Sequence, residues 1–515
     1  MSMAVAGGLL LYAAFPPTDL WFVAPLGPVL LALAVRGRSK RSAFLAGAVF
    51  GLAFFGPLIV WLANLGVAAW LALTLVQALI LGVAAVPLPR LLALPGWPLF
   101  GAAWWVAVEA LRGRVPLGGF PWGRLAFSQA DAPYAGWAAV GGAPLLTFAV
   151  ALAGMLALCG VTAVCSGRYV QLAAVCAGAA TLLAVPLVLP TGVSSDRSAV
   201  VAVVQGNVPR TRSLAEQARV QGVAENHARE TARLAEAVAR GEVARPDVVI
   251  WPENSLDSDP AQDPALEALV ADSVRALDRP LLIGAILRGP GDTSYNAGQL
   301  WLPGEGPVGF YAKRQLVPFG EYIPARSLLG GLGSLQLIPR DFTPGTSYEP
   351  LRTGQTRLGD VICYEIAYDG RVRDTVRAGA NLLVVQTNNA TYERGLQAGQ
   401  SEQQLAMARL RAIEYGRSVA LASTSGVSAI VAPDGRVTQR ADTWRSAFLV
   451  RRVPLSEGRT LAERAGPLPE VLLSALALAG VGAGLIRRRR RTAASPLSGL
   501  PEPSAEGSAT LVLPR

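Results

Sequence analysis

Over the first 190 residues, long apolar runs alternate with short polar breaks; after residue 197 the pattern changes to short β-branched runs separated by charged, helix-periodic ones. Apolar stretches lie at 3–15, 20–35, 43–63, 66–86, 97–112, 142–165, 169–190 and 468–486. A bilayer crossing takes about 20 such residues. The pattern therefore predicts about eight spans, seven ahead of a polar insert and one behind it. The first two are short and separated only by Pro16-Pro17-Thr18-Asp19, which fits either a tight helical hairpin or a broken re-entrant pair. Residues 1–15 lack a basic region before the apolar run, so they do not read as a cleaved signal peptide.

In the insert the pattern predicts strands at 199–205, 247–251, 281–287, 359–364, 382–387, 419–423 and 429–432, and helices at 213–240, 261–277, 368–378 and 402–417. Such alternation predicts a layered α/β domain over 198–455, with reactive side chains where strands run out into loops. The domain plan is thus a membrane domain at 1–190, the insert, a returning membrane helix at 468–486, and a basic, disordered tail at 487–515 rich in Ala, Ser, Pro and Gly.

Composition agrees with a membrane protein: 52% of the 515 residues are hydrophobic and the mean hydropathy is +0.38, which excludes disordered, collagenous and disulfide-framework classes. The net charge of +10 is carried by arginines placed asymmetrically. Arg36, Arg38, Lys40 and Arg41, then Arg90, Arg168 and residues 487–491 share one side if the spans alternate. The excess of basic residues in cytoplasmic loops then puts both termini inside and the insert outside. Arg112, Arg114 and Arg124 oppose that parity, in a loop that also carries Gly118-Gly119-Phe120-Pro121-Trp122-Gly123. Glu109 reads as the i,i+3 partner of Arg112 or as a functional intramembrane acid. The terminal arginine run reads as an anchor to anionic lipid, with no nucleic-acid partner expected.

Two scarcities narrow the chemistry. The single histidine, His227, lies in a polar helical run at 225–239 where it reads as solvated surface, so a multi-histidine metal site is excluded and a Ser-His-Asp triad would rest on that one residue. No metal or cofactor is expected. Of two lysines, Lys40 and Lys313, only Lys313 is in the insert, and a lysine kept among so many arginines suggests a site that wants a compact ammonium. Cys159, Cys165 and Cys176 fall in or beside apolar spans and read as small hydrophobes; Cys363 stands alone in the insert.

Three strand ends carry the remaining candidates. Val248-Val249-Ile250-Trp251-Pro252-Glu253 ends in a carboxylate, Tyr311-Ala312-Lys313 in the lysine, and Asp360-Val361-Ile362-Cys363-Tyr364-Glu365 in the thiol. A cysteine nucleophile without a histidine needs another base and another source of electrostatic support, which a carboxylate and an ammonium supply. Further acids, Glu321 and Glu365, lie nearby in sequence.

These residues resemble the nitrilase, or carbon-nitrogen hydrolase, superfamily, whose Glu-Lys-Cys triad matches Glu253 in Trp-Pro-Glu, Lys313 in Tyr-Ala-Lys and Cys363 in Ile-Cys-Tyr-Glu. With the multispan frame, nearly the whole chain except the tail is similar to the apolipoprotein N-acyltransferase family. The marks are Val204-Gln205-Gly206-Asn207, Leu316-Val317-Pro318-Phe319-Gly320-Glu321-Tyr322, Thr387-Asn388-Asn389-Ala390, the run from Leu405 to Glu414, and Gly119-Phe120-Pro121-Trp122. Departures are Gln315 where the family often has His, Asn389 and Thr391 where it commonly has Asp and Trp, and no aromatic shortly after Gln205-Gly206-Asn207.

The resemblance implies a multispan α-helical membrane domain carrying an αββα nitrilase-like sandwich on the extracytoplasmic face of the bacterial cytoplasmic (inner) membrane. It implies acyl transfer from a phospholipid, through a Cys363 thioester, to the N-terminal α-amino group of diacylglyceryl-cysteine in apolipoproteins. Glu253 would be the base, Lys313 the oxyanion support, and Glu321, Tyr364, Glu365 and Asn388 supporting residues, with Trp122 and Phe120 at the lipid entrance and the protein a monomer. The alternatives are a membrane-tethered amidase acting on a small amide, and an inactive relative serving as a scaffold.

Overall fold

A computed structural model describes residues 1–188, 195–209, 216–329, 340–393 and 399–493. Most of the expected disordered tail, from 494 on, lies outside the described residues.

Every apolar run is helical. The first seven give α1 (Ser2–Ala13), α2 (Leu26–Val35), α3 (Lys40–Leu58), α4 (Val67–Ala85) with the short α5 (Leu88–Leu91), α6 (Trp97–Arg112), α7 (Trp137–Cys165) and α8 (Tyr169–Val188). Among the described residues, five helices are long and apolar enough to cross a membrane: Lys40–Leu58, Val67–Leu91, Trp137–Cys165, Tyr169–Val188 and Leu468–Arg487. α1 and α2 are separate helices packed on each other, shorter than a span. α6 has 16 residues, roughly 24 Å at 1.5 Å per residue. Small residues let these helices approach closely: a side chain at Gly51 of α3 would run into Ala78 of α4.

The insert folds into two six-stranded sheets. The first has β1 (Ser198–Gln205), β2 (Val248–Ile250), β3 (Leu281–Arg288), β4 (Ser294–Leu302), β5 (Gly306–Ala312) and, at the far edge, β12 (Ala447–Pro454), in the order β12-β1-β2-β3-β4-β5. The second has β6 (Leu351–Thr353), β7 (Thr356–Ile362), β8 (Leu382–Thr387), β9 (Ser418–Ser423), β10 (Ser428–Val431) and β11 (Val437–Ala441), in the order β11-β10-β9-β8-β7-β6. The central pairs β1–β2, β2–β3, β7–β8 and β8–β9 are parallel.

Alternation along each central strand explains the layers. Val201, Val203, Ile250 and Leu282 meet Leu382, Val384 and Ala420 between the sheets. Ala202, Val204, Val249 and Ile283 face α9 (Glu216–Ala239) and α10 (Pro264–Leu277) on the outside. On the opposite outer face, Val361, Val385 and Leu421 meet α12 (Asp369–Arg377) and α13 (Gln400–Tyr415). Strands covered on both faces read as continuous apolar runs, as β1 does. The result is an αββα sandwich.

The strands at 199–205, 281–287, 382–387, 419–423 and 429–432 match within a residue at either end. β4, β6, β11 and β12 were not expected, because these antiparallel and edge strands are interrupted by polar residues such as Asn296, Gln299, Arg440 and Arg451. α11 (Arg326–Leu329) and α14 (Leu461–Ala465) are single turns, and α15 (Leu468–Ala493) returns to pack on α6. One apolar cluster runs unbroken from Phe50, Trp122 and Leu146 to Met407, Leu410 and Val385, so α13 is clamped between the second sheet and the membrane helices.

Candidate active site

β2 runs through Trp251 into Pro252, which has no N–H to offer the ladder, so pairing stops and Glu253 leaves the strand end. Glu253 is 5% exposed. Its Oε1 accepts from Lys313 Nζ at 3.0 Å and Asn296 Nδ2 at 2.7 Å, and its Oε2 from the Asn388 N–H at 2.9 Å. Lys313 is the first residue past β5, tied by its N–H to Asn296 O at 2.8 Å. Its Nζ also donates to Glu321 Oε1 at 2.9 Å. Glu321 accepts from Asn296 Nδ2 and from the Val317 N–H, both at 2.7 Å.

Cys363 follows the last residue of β7 and opens a single 3-10 turn, Cys363–Ala367. Its φ of 53° lies in the left-handed region, where a non-glycine side chain is strained by about 1 kcal/mol or more. Two contacts hold the elbow: the Ile362 N–H donates to Glu365 Oε2 at 2.9 Å, and Gln404 Nε2 donates to Cys363 O at 3.0 Å. Glu365, fully buried, also accepts from Tyr311 Oη and from the N–H groups of Arg314 and Gln315 at 2.8–2.9 Å. A single carboxylate thereby locks the cysteine elbow to the segment that carries Lys313.

Burial and Glu253 push the Cys363 thiol up to about 12, against the opposing pull of Lys313 and Thr387. For Lys313 burial acts against the charge, but Glu253 and Glu321 outweigh it and hold the ammonium well above its ordinary range. Two carboxylates against one ammonium leave the resting cluster negative, which favours the thiol.

The loop after α6 reaches this centre. Phe120, Trp122 and Tyr364 stack with centroids 6.1–6.5 Å apart, and the hydroxyls of Tyr364 and Tyr368 donate to Gly119 O at 3.1 and 2.9 Å. Trp122 is 2% exposed and Phe120 half-buried. Asn388 contributes its N–H to Glu253 and accepts from Thr424 Oγ1 at 3.0 Å.

Several expectations are corrected. His227 is fully buried against Trp251, its Nδ1 bonded to Val223 O, because α9 turns that face to the sheet. Arg112 and Arg124 are buried structural pegs. Arg112 donates to Gln77 and to the carbonyls of Phe120 and Trp122, and Arg124 to Asp369 at 2.7 Å. Glu109 pairs with Arg124 at 3.6 Å rather than with Arg112, and accepts from the Leu125 N–H and Thr147 Oγ1. Asn296, Thr387, Gln403 and Gln404 were not singled out as site residues. A buried-facing Asn in a strand was the available signal for the first. Among the described residues, no group of three or more His, Cys, Asp or Glu is arranged to hold a metal ion.

Two family models match: the apolipoprotein N-acyltransferase N-terminal domain over residues 7–156 and the carbon-nitrogen hydrolase over 200–463. An apolipoprotein N-acyltransferase of Mycolicibacterium smegmatis is 38% identical over 94% of this chain and 84% of that protein. Another, of Azotobacter vinelandii, is 32% identical over 96% of each. A solved amidase from Nesterenkonia sp. aligns at 19% identity over 51% of this chain and 94% of its own, with a TM-score of 0.35. The chain is an integral membrane protein that belongs to the apolipoprotein N-acyltransferase family, its insert being a carbon-nitrogen hydrolase domain.

Proposed function

We propose that the protein moves an acyl chain from a phospholipid to the N-terminal α-amino group of diacylglyceryl-cysteine on a lipoprotein, in two half-reactions through a thioester on Cys363. The observation that carries this reading is the buried Glu253–Lys313–Glu321 cluster, coupled electrostatically to a strained cysteine elbow whose next residue, Tyr364, stacks on the membrane-domain loop.

Glu253 takes the thiol proton as Sγ attacks the ester carbonyl carbon, and Lys313 stabilises the oxyanion that develops. The tetrahedral intermediate collapses with cleavage of the ester C–O bond. Glu253 returns the proton to the departing lysophospholipid alcohol, leaving acyl-Cys363. The incoming amine then attacks the thioester carbonyl, Glu253 accepts the ammonium proton, and the amide leaves as the thiol is reprotonated. Glu321 holds Lys313, Glu365 holds the elbow, and the Asn388 N–H orients the second oxygen of Glu253. A transferase must keep water from the thioester, and the Phe120, Trp122, Tyr364 and Trp61 rings packed here favour that exclusion.

In this reading the catalytic domain lies on the extracytoplasmic face of the bacterial inner membrane, both termini are cytoplasmic and the protein acts as a monomer. The buried bonding of Arg112 and Arg124 supports that orientation, because arginines committed to structure do not report on loop sidedness.

Intact-mass analysis after incubation with phosphatidylethanolamine, without acceptor, tests the first half-reaction. The expected result is a gain of one acyl chain on Cys363 that hydroxylamine removes and Cys363→Ala abolishes. Ammonia release from a small amide with no acyl adduct would replace this reading with the amidase one.

A further inference from the structure

The resting cluster leaves one problem unsolved. Once Glu253 holds the thiol proton, Glu321 and Lys313 cancel, so the cluster does little to favour a thiolate beside it. The attacking sulfur needs a neutral donor that adds no negative charge and is free to change partners. β8 ends on a candidate. Thr387 Oγ1 lies 2.9 Å from Gln404 Oε1 and 3.5 Å from Cys363 Sγ. Thr387 is 1% exposed and Gln404 fully buried, so no solvent competes for this hydroxyl.

The orientation of the Gln404 amide is set by its other contacts. Its Nε2 donates to Cys363 O at 3.0 Å, so its Oε1 faces Thr387. That oxygen also accepts from Asn389 Nδ2 at 2.9 Å. One hydroxyl proton makes a strong bond to only one acceptor at a time. With a thiol present, the shorter contact to Gln404 holds it. When sulfur becomes anionic, a charge-assisted bond is the stronger one, and rotation about the Cβ–Oγ bond redirects the proton. Gln404 Oε1 is not orphaned by the move, because Asn389 still donates to it, so the exchange leaves no buried acceptor unpaired.

We propose that Thr387 is a further catalytic residue: its hydroxyl switches from Gln404 Oε1 to Cys363 Sγ as the thiolate forms, and returns when the sulfur is acylated. This rests on Cys363 being the nucleophile. No bond to oxygen is made or broken; only the hydrogen bond changes acceptor.

The test is the rate at which iodoacetamide alkylates Cys363 in the full chain, in detergent free of phospholipid, from pH 6 to 10, with the adduct followed on the Cys363 peptide. Thr387→Val keeps the shape and loses the hydroxyl; Thr387→Ala loses both and opens space. Both are expected to react about tenfold more slowly at each pH on the rising limb, as for a thiolate disfavoured by about one pKa unit, with Thr387→Ser within twofold of the parent. A merely steric role would make the alanine variant faster, and a merely structural one would not be rescued by serine. Either hydroxyl-less variant reacting within twofold of the parent overturns the proposal. Normal N-acylation by Cys363→Ala would instead overturn the nucleophile reading, whereas phospholipid-dependent acylation of Cys363 alongside unaltered alkylation of Thr387→Ala would retain that reading and overturn the role of Thr387.

Discussion

Gln403→Leu should break the joint between α13 and the membrane domain. Gln403 is 3% exposed, and every hydrogen bond of its amide crosses that joint. Oε1 accepts from Trp122 Nε1 at 2.7 Å and Trp61 Nε1 at 3.2 Å; Nε2 donates to Leu58 O at 3.0 Å and Pro16 O at 3.2 Å. Leucine fills nearly the same volume and satisfies none of them. Each orphaned buried group costs about 1–3 kcal/mol. At the lower bound the four partners cost about 4 kcal/mol, and the extra apolar burial of leucine offsets about 1 kcal/mol. The net loss is then about 3 kcal/mol. Denaturant titration of the protein in micelles, followed by indole fluorescence, measures it, and a double-mutant cycle with Trp122→Phe should return a coupling of about 1 kcal/mol. A Gln403→Leu protein within about 0.5 kcal/mol of the parent, a margin typical of a neutral surface change, would refute the reasoning.

Glu321→Gln places an amide N–H either against both Lys313 and Asn296 or against the Val317 N–H, while Lys313 keeps Glu253. Losing about 1.5–3 kcal/mol of charged hydrogen bonding should lower kcat for acyl transfer about 10- to 100-fold with KM little changed, as steady-state kinetics would show. Asp369→Ala strips a shared carboxylate from Arg124 and Arg411, yet Glu109 and Glu414 remain beside them, so the loss should fall near the low end of about 3–5 kcal/mol in the same titration. Burial pushes the His227 imidazole down to about 4 from 6.5. A base whose folded pKa is depressed gives its full contribution above the unfolded value and loses it as pH falls from 6.5 toward 4, by up to about 3 kcal/mol. His227→Gln should flatten that part of the pH–stability profile, and an unchanged slope would count against it.

The Glu253, Lys313 and Cys363 candidates were legible because each stands at the end of an apolar strand and two are scarce residue types in the insert. What they bond to was not. Asn296, which bridges both acids, sits in β4, whose polar residues fall on both faces and gave no clear period. α13 shows the limit most clearly. Residues 402–417 read as a helix with a polar face, and in isolation Gln403, Gln404, Arg411 and Glu414 would be solvated. In the fold they are all buried, since the membrane domain covers one side and the cysteine elbow the other.

The chain's own pattern determined its membrane frame, its layered insert and the residue types available for chemistry, because apolar period and scarcity are local properties. Only the tertiary structure decided which arginines are pegs, where the histidine faces and which amides hold the cysteine elbow. Those depend on donors and acceptors from 8 to 281 residues apart meeting where water is absent, and their pairing is settled by desolvation, which no local window of sequence records.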